Sequence, residues 1–129
     1  MIEIGNALYA FCAHLQKESV LVKKGAHVKR GQVLGKLGNT GNTSAPHLHF
    51  HLMGGASVLG SSGVPYEIDG FGLAGEVSTE KFAAAPSIEG DWGEGRTKTV
   101  SARKGQFPLD LNIVNFAEPK AAAAAAKTK

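Results

Sequence analysis

The chain has 129 residues, of which 43% are apolar and 19% charged, and it contains one cysteine, Cys12. This composition allows one domain of ordinary size with a core, and it excludes an intramolecular disulfide framework and a cysteine-rich zinc module. The formal charge of +3 comes from three lysines in the last ten residues, and the basic segment 17–36 has no interleaved aromatic ring, so nucleic-acid binding is not favoured.

The first 35 residues predict several short strands joined by glycine turns. Residues 2–4 begin with a strand-like stretch that has no features of a secretory leader. The apolar run 7–15 contains aromatic residues and neither glycine nor proline, which predicts a buried strand. Residues 20–22 predict a second strand, and the glycines of residues 23–35 separate β-branched residues as in a meander of very short strands.

A polar loop and a strongly alternating segment follow. Residues 38–44 are rich in Gly, Asn and Thr and predict a loop that Pro46 ends. Residues 47–52 then alternate between histidine and apolar side chains, which is the clearest strand pattern in the chain. No run of about 18 apolar residues is present, so we expect no transmembrane segment.

The second half of the chain is more weakly patterned. Residues 54–63 predict a loop, and residues 76–85 predict a short helix with Ser78 as N-cap. Residues 88–98, which include Trp92, predict an exposed loop, and residues 109–116 predict a final strand. We therefore expect a mostly β fold, a small antiparallel sheet or barrel-sandwich domain with glycine-rich turns, followed by a less regular C-terminal extension. Residues 59–119 would extend the same β domain or form a small lobe, and residues 120–129 a disordered Ala/Lys tail.

The histidines of the alternating segment carry the main chemical signal. On a strand, residues two apart project to the same face about 6.5–7 Å apart. His47 and His49, or His49 and His51, could therefore converge on one metal ion or one substrate, whereas His47 and His51 are too far apart for all three to share an ion. Leu48, Phe50 and Leu52 would anchor the opposite face in a core. Spacing alone leaves open whether the histidines are ligands, catalytic residues or a polar face.

Three blocks of sequence together resemble the lysostaphin/LytM-type zinc metallopeptidases of peptidase family M23. They are the strand ending in His14, the glycine-punctuated segment 22–35, and the block from Gly38 to Phe50 with its Pro-His-Leu-His-Phe motif. The last block is highly specific. The resemblance covers roughly residues 1–55, and it identifies residues 1–58 as the C-terminal portion of an M23-like peptidase domain.

The resemblance implies a zinc-bearing groove and hydrolysis of peptide bonds in bacterial peptidoglycan. It assigns His49 as a zinc ligand, and His14 and His47 as the two catalytic histidines beside the metal-bound water. Asn39, Thr40 and Asn42, in the polar loop, are the candidate residues of the substrate groove.

The sequence departs from the family in its metal ligands. The family takes two further ligands, a histidine and an aspartate, from a segment upstream of the first block, and the 13 residues before His14 contain neither type. We therefore expect an incomplete Zn²⁺ site in a truncated peptidase. His51, where the family has Glu or Gln, is the candidate substitute ligand, and Asp69, Asp91 and Asp110 are further candidates.

Two other functions remain open from the sequence. The first is a non-catalytic binding or regulatory module that keeps the groove without zinc. The second is a biotinyl/lipoyl-like carrier domain, because residues 20–35 share its glycine-punctuated pattern, although the lysine-bearing hairpin of such carriers does not follow. Family members act in the bacterial envelope or outside the cell, whereas the localisation and oligomeric state of this chain stay open.

Overall fold

The computed structural model describes residues 1–84 and 93–116. Its strands are antiparallel, and they form two separate sheets that do not close into a barrel. The expectation of a mostly β, antiparallel fold is therefore confirmed. The strands are β1 (Ile2–Gly5), β2 (Leu8–Ala13), β3 (His49–Met53), β4 (Gly63–Val64), β5 (Phe71–Glu76), β6 (Arg96–Arg103) and β7 (Asn112–Asn115).

Strands β1 to β4 form the first sheet, called here the histidine sheet, in the order β1-β2-β3-β4. A tight turn joins β1 to β2, with positive φ at Asn6 (51°) and Ala7 (57°), as the right-handed twist of a two-residue hairpin favours. In the β2–β3 pair, Phe11 lies opposite His51 and Ala13 opposite His49. Because paired residues of antiparallel strands share a face, these aromatic and histidine side chains lie together.

Strands β5 to β7 form the second sheet, called here the C-terminal sheet, in the order β6-β5-β7. Its register shifts between Leu73 and Gly75, where Gly75 has a φ of 147°. A Cβ atom at Gly75 would collide with the carbonyl oxygen of Gly95 on the neighbouring chain segment. The three strands make this part of the chain more regular than its sequence pattern predicts.

The long segment between β2 and β3 contains no named strand, so the predicted strand 20–22 and the meander 23–35 are wrong as strands. Isolated backbone hydrogen bonds hold the segment instead, such as Leu21 N to Leu34 O at 2.9 Å and Gln16 N to Lys36 O at 2.8 Å. The turns at Gly25 and Gly31 are present, with φ of 84° and 79°. Turns this closely spaced leave too few residues between them for a continuous ladder.

The other predicted elements have mixed outcomes. Helix α1 (Thr79–Ala84) is confirmed, with Ser78 Oγ accepting a hydrogen bond from Lys81 N at 3.2 Å as an N-cap. The final strand is shorter than predicted, because left-handed Leu111 (φ 60°) precedes β7. The predicted loop 88–98 is wrong at its C-terminal end, where a 3₁₀ turn at Gly93–Gly95 leads into β6. Trp92 and the predicted tail 120–129 lie outside the described residues.

Five side chains are buried among the described residues. Ala10 and Met53 are buried in the histidine sheet, and Phe71, Ala74 and Val77 in or next to the C-terminal sheet. No described helix is long and apolar enough to cross a membrane.

The apolar face of β3 is not the buried anchor that the sequence predicts. Leu48 is 49% exposed and Phe50 39% exposed, because the described chain places no second layer over them. Phe50 packs edge-on against Tyr66 with ring centroids 5.4 Å apart, and Tyr66 packs in the same manner against Phe107 at 5.0 Å. This row of three rings leads from the histidine sheet to the segment before β7.

An ion pair links the basic segment 17–36 to residues 67–94, which carry seven acidic side chains. Arg30, in the basic segment 17–36, forms an ion pair with Asp69 at 2.7 Å, just before β5. Both side chains are largely exposed. Such a pair orients the two segments with little net stabilisation.

Candidate active site

Strand β3 places His49 and His51 on the same face, as its alternation predicts. His49 Nε2 lies 2.9 Å from His51 Nδ1, and the two ring centroids are 5.0 Å apart. Phe11, which faces them from β2, packs edge-on against His49 at 5.6 Å and at a tilt against His51 at 5.2 Å. The neighbouring strand therefore holds both imidazoles in place.

His14 reaches the same face by an unusual backbone conformation. In a regular strand it would point to the side of Cys12, which pairs with Phe50 and faces away from His49. Its φ of 62° is left-handed and ends β2 at Ala13. This conformation brings the His14 ring to 4.6 Å from the His47 ring and 5.8 Å from the His49 ring. A left-handed φ is uncommon at non-glycine residues, and histidine is one of the residue types that adopt it more readily.

The polar loop orients the His14 ring. His14 Nδ1 lies 2.7 Å from the backbone carbonyl oxygen of Thr40, and Thr40 Oγ1 donates a hydrogen bond to Leu15 O at 2.8 Å. Because a carbonyl oxygen can only accept, Nδ1 of His14 carries the proton. A side chain at Gly41 would contact His14 Nδ1, so the loop lies against the ring. Nε2 of His14 is then the nitrogen left for chemistry.

His47 is held in the same way by its own loop. Its Nδ1 donates to Ala45 O at 2.8 Å, and Thr43 Oγ1 lies 3.2 Å from the same nitrogen. The Thr43 hydroxyl also donates to Ala45 O at 2.9 Å. The backbone N–H of His47 donates to Gly38 O at 3.2 Å, which ties both ends of the polar loop together. The two neutral rings thus have matching tautomers, with the proton on Nδ1.

The surroundings of His49 favour its neutral form. Partial desolvation of the ring lowers the pKa of His49 from its ordinary value, and the positive charges that His51, His14 and His47 would carry lower it further. A neutral imidazole is the form that binds a metal ion.

The described residues provide two nitrogens for a metal ion. His49 Nε2 and His51 Nδ1 are near enough to contact one ion, but residues 1–84 and 93–116 contain no group of three His, Cys, Asp or Glu side chains placed to hold one. A catalytic zinc normally has three protein ligands and a water. The residues thus fit part of a zinc site.

The other ligand candidates do not join this pair. Asp69 is engaged with Arg30, Asp110 accepts a hydrogen bond from Leu111 N at 3.0 Å in its own turn, and Asp91 lies outside the described residues. Cys12 lies on the opposite face of β2, and burial raises the pKa of its thiol, which disfavours the thiolate that binds metals.

The candidate groove residues lie on the polar loop beside the cluster. Asn39, Thr40 and Asn42 are all exposed, and Thr40 touches His14 through its backbone. Thr43 was not among the predicted site residues, although a threonine in a turn-rich segment often forms hydrogen bonds with its own backbone. Phe11 was not among them either, because only the strand register places it beside His49 and His51.

A separate groove of about 720 Å³ lies between β1 and the turn at residues 22–28. His27 lines this groove together with Lys23 and Lys24, and none of the four clustered histidines does. His27 is exposed.

The N-terminal segment is similar to known proteins. Residues 1–60 match the sequence model of peptidase family M23. The chain is 47% identical over 53 residues to the peptidoglycan DD-endopeptidase ShyA of Vibrio cholerae, an alignment that covers 41% of this chain and 12% of ShyA. It is 50% identical over 40 residues to the peptidoglycan DD-endopeptidase ShyC of the same organism, covering 31% of this chain and 9% of ShyC.

Lysostaphin of Staphylococcus simulans is 52% identical over 40 residues, covering 31% of this chain and 8% of lysostaphin. The chain thus spans about a tenth of the length of these relatives. No solved structure matches it. The comparisons confirm, for residues 1–60, the resemblance of this chain to peptidase family M23.

Proposed function

We propose that the four clustered histidines form the histidine part of a zinc-dependent peptidase centre that hydrolyses peptides of bacterial peptidoglycan. The observation that carries this proposal is the matched orientation of His14 and His47. Loop carbonyls hold Nδ1 of both rings, and the rings lie 4.6 Å apart beside His49. Histidines that only formed a polar sheet face would not need backbone carbonyls to hold Nδ1 of two neighbouring rings.

His49 would hold the zinc ion, with His51 as the candidate second ligand. A bound zinc ion lowers the pKa of a water and polarises a carbonyl group. The third ligand that such an ion needs is not among residues 1–84 and 93–116. The neutral state favoured at His49 suits this role.

His14 and His47 would move protons. With Nδ1 of each ring donating to a backbone carbonyl, Nε2 of one ring can accept a proton from the attacking water. Once protonated, an imidazole can donate a hydrogen bond to the negative charge that develops on the carbonyl oxygen of the substrate. The carbonyls of Thr40 and Ala45 stabilise the ring that becomes charged, because each accepts from its Nδ1–H.

The substrate class comes from the relatives. ShyA and ShyC are named peptidoglycan DD-endopeptidases. The match to the family model over residues 1–60 includes the cluster and its polar loop. Asn39, Thr40 and Asn42 are exposed beside His14, where side-chain amides and a hydroxyl can bind the backbone of a peptide.

Release of soluble peptides from purified peptidoglycan, with Zn²⁺ supplied, tests the proposal. We expect His47→Gln and His14→Gln each to lower the rate by about 10²- to 10⁴-fold, because each removes a group that transfers a proton. His27→Gln is the matched control, since His27 lies in the other groove and its loss should leave the rate unchanged. Removal of the metal with a chelator should abolish release. Equal rates for all three variants would contradict the proposal.

A non-catalytic binding module is the second candidate. The convergence of two metal-binding nitrogens rather than three among the described residues favours it. In that case the chain would sediment with peptidoglycan and release no peptides, and His47→Gln would leave binding unchanged.

A further inference from the structure

We infer that the outer edge of β1 binds an extended acidic peptide, which joins the histidine sheet as a further strand and pairs its carboxylates with Lys23 and Lys24. The peptide lies in the groove of about 720 Å³ between β1 and the turn at residues 22–28. The four clustered histidines do not line this groove. The inference therefore does not rest on the proposed peptidase function.

The first argument is the open edge of the histidine sheet. β1 is the terminal strand of the order β1-β2-β3-β4, and in the part of the chain that the structure describes it pairs only with β2. Within residues 1–84 and 93–116, no backbone hydrogen bond joins β1 to the segment across the groove. In an antiparallel strand every second residue points its N–H and C=O away from its partner. The outer edge of β1 can therefore accept another strand by main-chain hydrogen bonds.

The second argument is a contrast with β6, which is an edge strand of the C-terminal sheet. β6 carries Arg96, Lys98 and Arg103, and charged side chains along an edge oppose the addition of another strand. In β1 the only charged side chain is Glu3. A register shift between Glu3 and Gly5 interrupts the regular pairing of β1. We therefore expect the peptide to pair with the start of β1.

The third argument is the composition of the groove wall that faces β1. Three valines and two lysines line this wall: Val20, Val22, Val28, Lys23 and Lys24. Successive side chains of an extended peptide point to opposite faces. A peptide that alternates between apolar and acidic residues therefore presents one face to the valines and its carboxylates to the lysines.

The two lysines are well placed to bind an anion. The backbone N–H of Ala26 donates to Lys23 O at 3.0 Å, and Gly25 has a φ of 84°, as in a type II β-turn that fixes the backbone of both lysines. Both side chains are exposed, and neither forms an ion pair with another described residue. Two such cations against one carboxylate, that of Glu3, favour a negatively charged partner.

Fluorescence anisotropy of a labelled hexapeptide tests the inference on the metal-free 129-residue chain. The probe alternates valine and glutamate, and the matched peptide alternates valine and lysine. We expect only the glutamate peptide to bind, with an affinity that falls as the salt concentration rises. The double variant Lys23→Glu, Lys24→Glu should lower the affinity about tenfold or more, because repulsion replaces attraction. The control double variant Lys17→Glu, Lys36→Glu changes the net charge equally outside the groove and should keep wild-type affinity.

Amide hydrogen exchange locates the bound peptide. Saturating glutamate peptide should slow exchange at β1 and leave β6 unchanged, because an added strand protects the amides of the edge that it joins. Equal binding of both peptides, no binding, wild-type affinity in the Lys23→Glu, Lys24→Glu variant, or protection at β6 instead of β1 would each overturn the inference. Dimerisation through β1 that excludes the peptide would also overturn it, since a second copy would then fill the groove. The peptidoglycan hydrolysis assay judges the proposed function separately.

Discussion

The histidine sheet and the C-terminal sheet are both small and antiparallel, but different features hold them in shape. All five histidines lie in residues 1–60, and the C-terminal sheet has none. In the histidine sheet, β3 places His49 and His51 on one face, and Phe11 of β2 packs against the His49 ring. The loop carbonyls of Thr40 and Ala45 orient the rings of His14 and His47. The C-terminal sheet depends instead on close backbone approach at Gly75.

This difference shows where each region tolerates change. In the histidine sheet the critical contacts link a strand to a loop that contains no named strand. In the C-terminal sheet the critical contacts lie within the sheet and its 3₁₀ turn. A destabilising substitution in the C-terminal sheet should therefore leave the histidine ring signals unchanged, whereas one at the polar loop should alter them.

The largest effect is expected from Gly75→Ala. The added Cβ would collide with the Gly95 carbonyl oxygen, and the φ of 147° is one that alanine avoids. We expect a loss of about 3 kcal/mol in the free energy of unfolding, measured by urea denaturation. Gly63→Ala is the matched control, because its Cβ would meet nothing within 4 Å. A Gly75→Ala protein as stable as the control would refute the close approach.

A smaller but more informative effect is expected from Gly38→Ala. The added Cβ would collide with the backbone of Leu15 and Gln16, and Gly38 also accepts the hydrogen bond from His47 N. We expect a loss of about 2 kcal/mol and altered ring signals of His14 and His47 in nuclear magnetic resonance spectra. In Gly75→Ala the same ring signals should stay unchanged. Identical signatures for the two variants would mean that the regions are not independent.

The smallest effect is expected at the ion pair between the two charged segments. Arg30 and Asp69 are both largely exposed, so water screens their attraction. Asp69→Asn should leave the midpoint of urea denaturation unchanged, also at low ionic strength. A clear loss of stability would show that this contact couples the two regions more strongly than its exposure indicates.

Much of the site could be predicted from sequence, because its pattern is local. The alternation of residues 47–52 places His49 and His51 on one face without further information. The position of His14 could not be deduced from periodicity, since a left-handed φ turns it away from the side of Cys12. The orientation of the rings depends on carbonyl groups about 26 residues away for His14, which no local pattern reports.

The fold was less predictable where neighbours decide the outcome. The glycine turns at residues 25 and 31 follow from backbone freedom, but strands between them need partners that the segment does not have. Strand β6 was expected as loop at its start, although Thr97, Thr99 and Val100 are β-branched residues that favour a strand. Burial of Phe50 was expected from its alternation, whereas only a second layer could provide it.

The tautomer of His14 and His47 in the metal-free chain at neutral pH tests the proposed proton transfer most directly. Long-range proton–nitrogen spectra of ¹⁵N-histidine protein report which ring nitrogen carries the proton. We expect the Nδ1–H tautomer for both residues, because the carbonyls of Thr40 and Ala45 accept from these nitrogens. The Nε2–H tautomer at either residue would contradict the arrangement on which the proposed proton transfer depends.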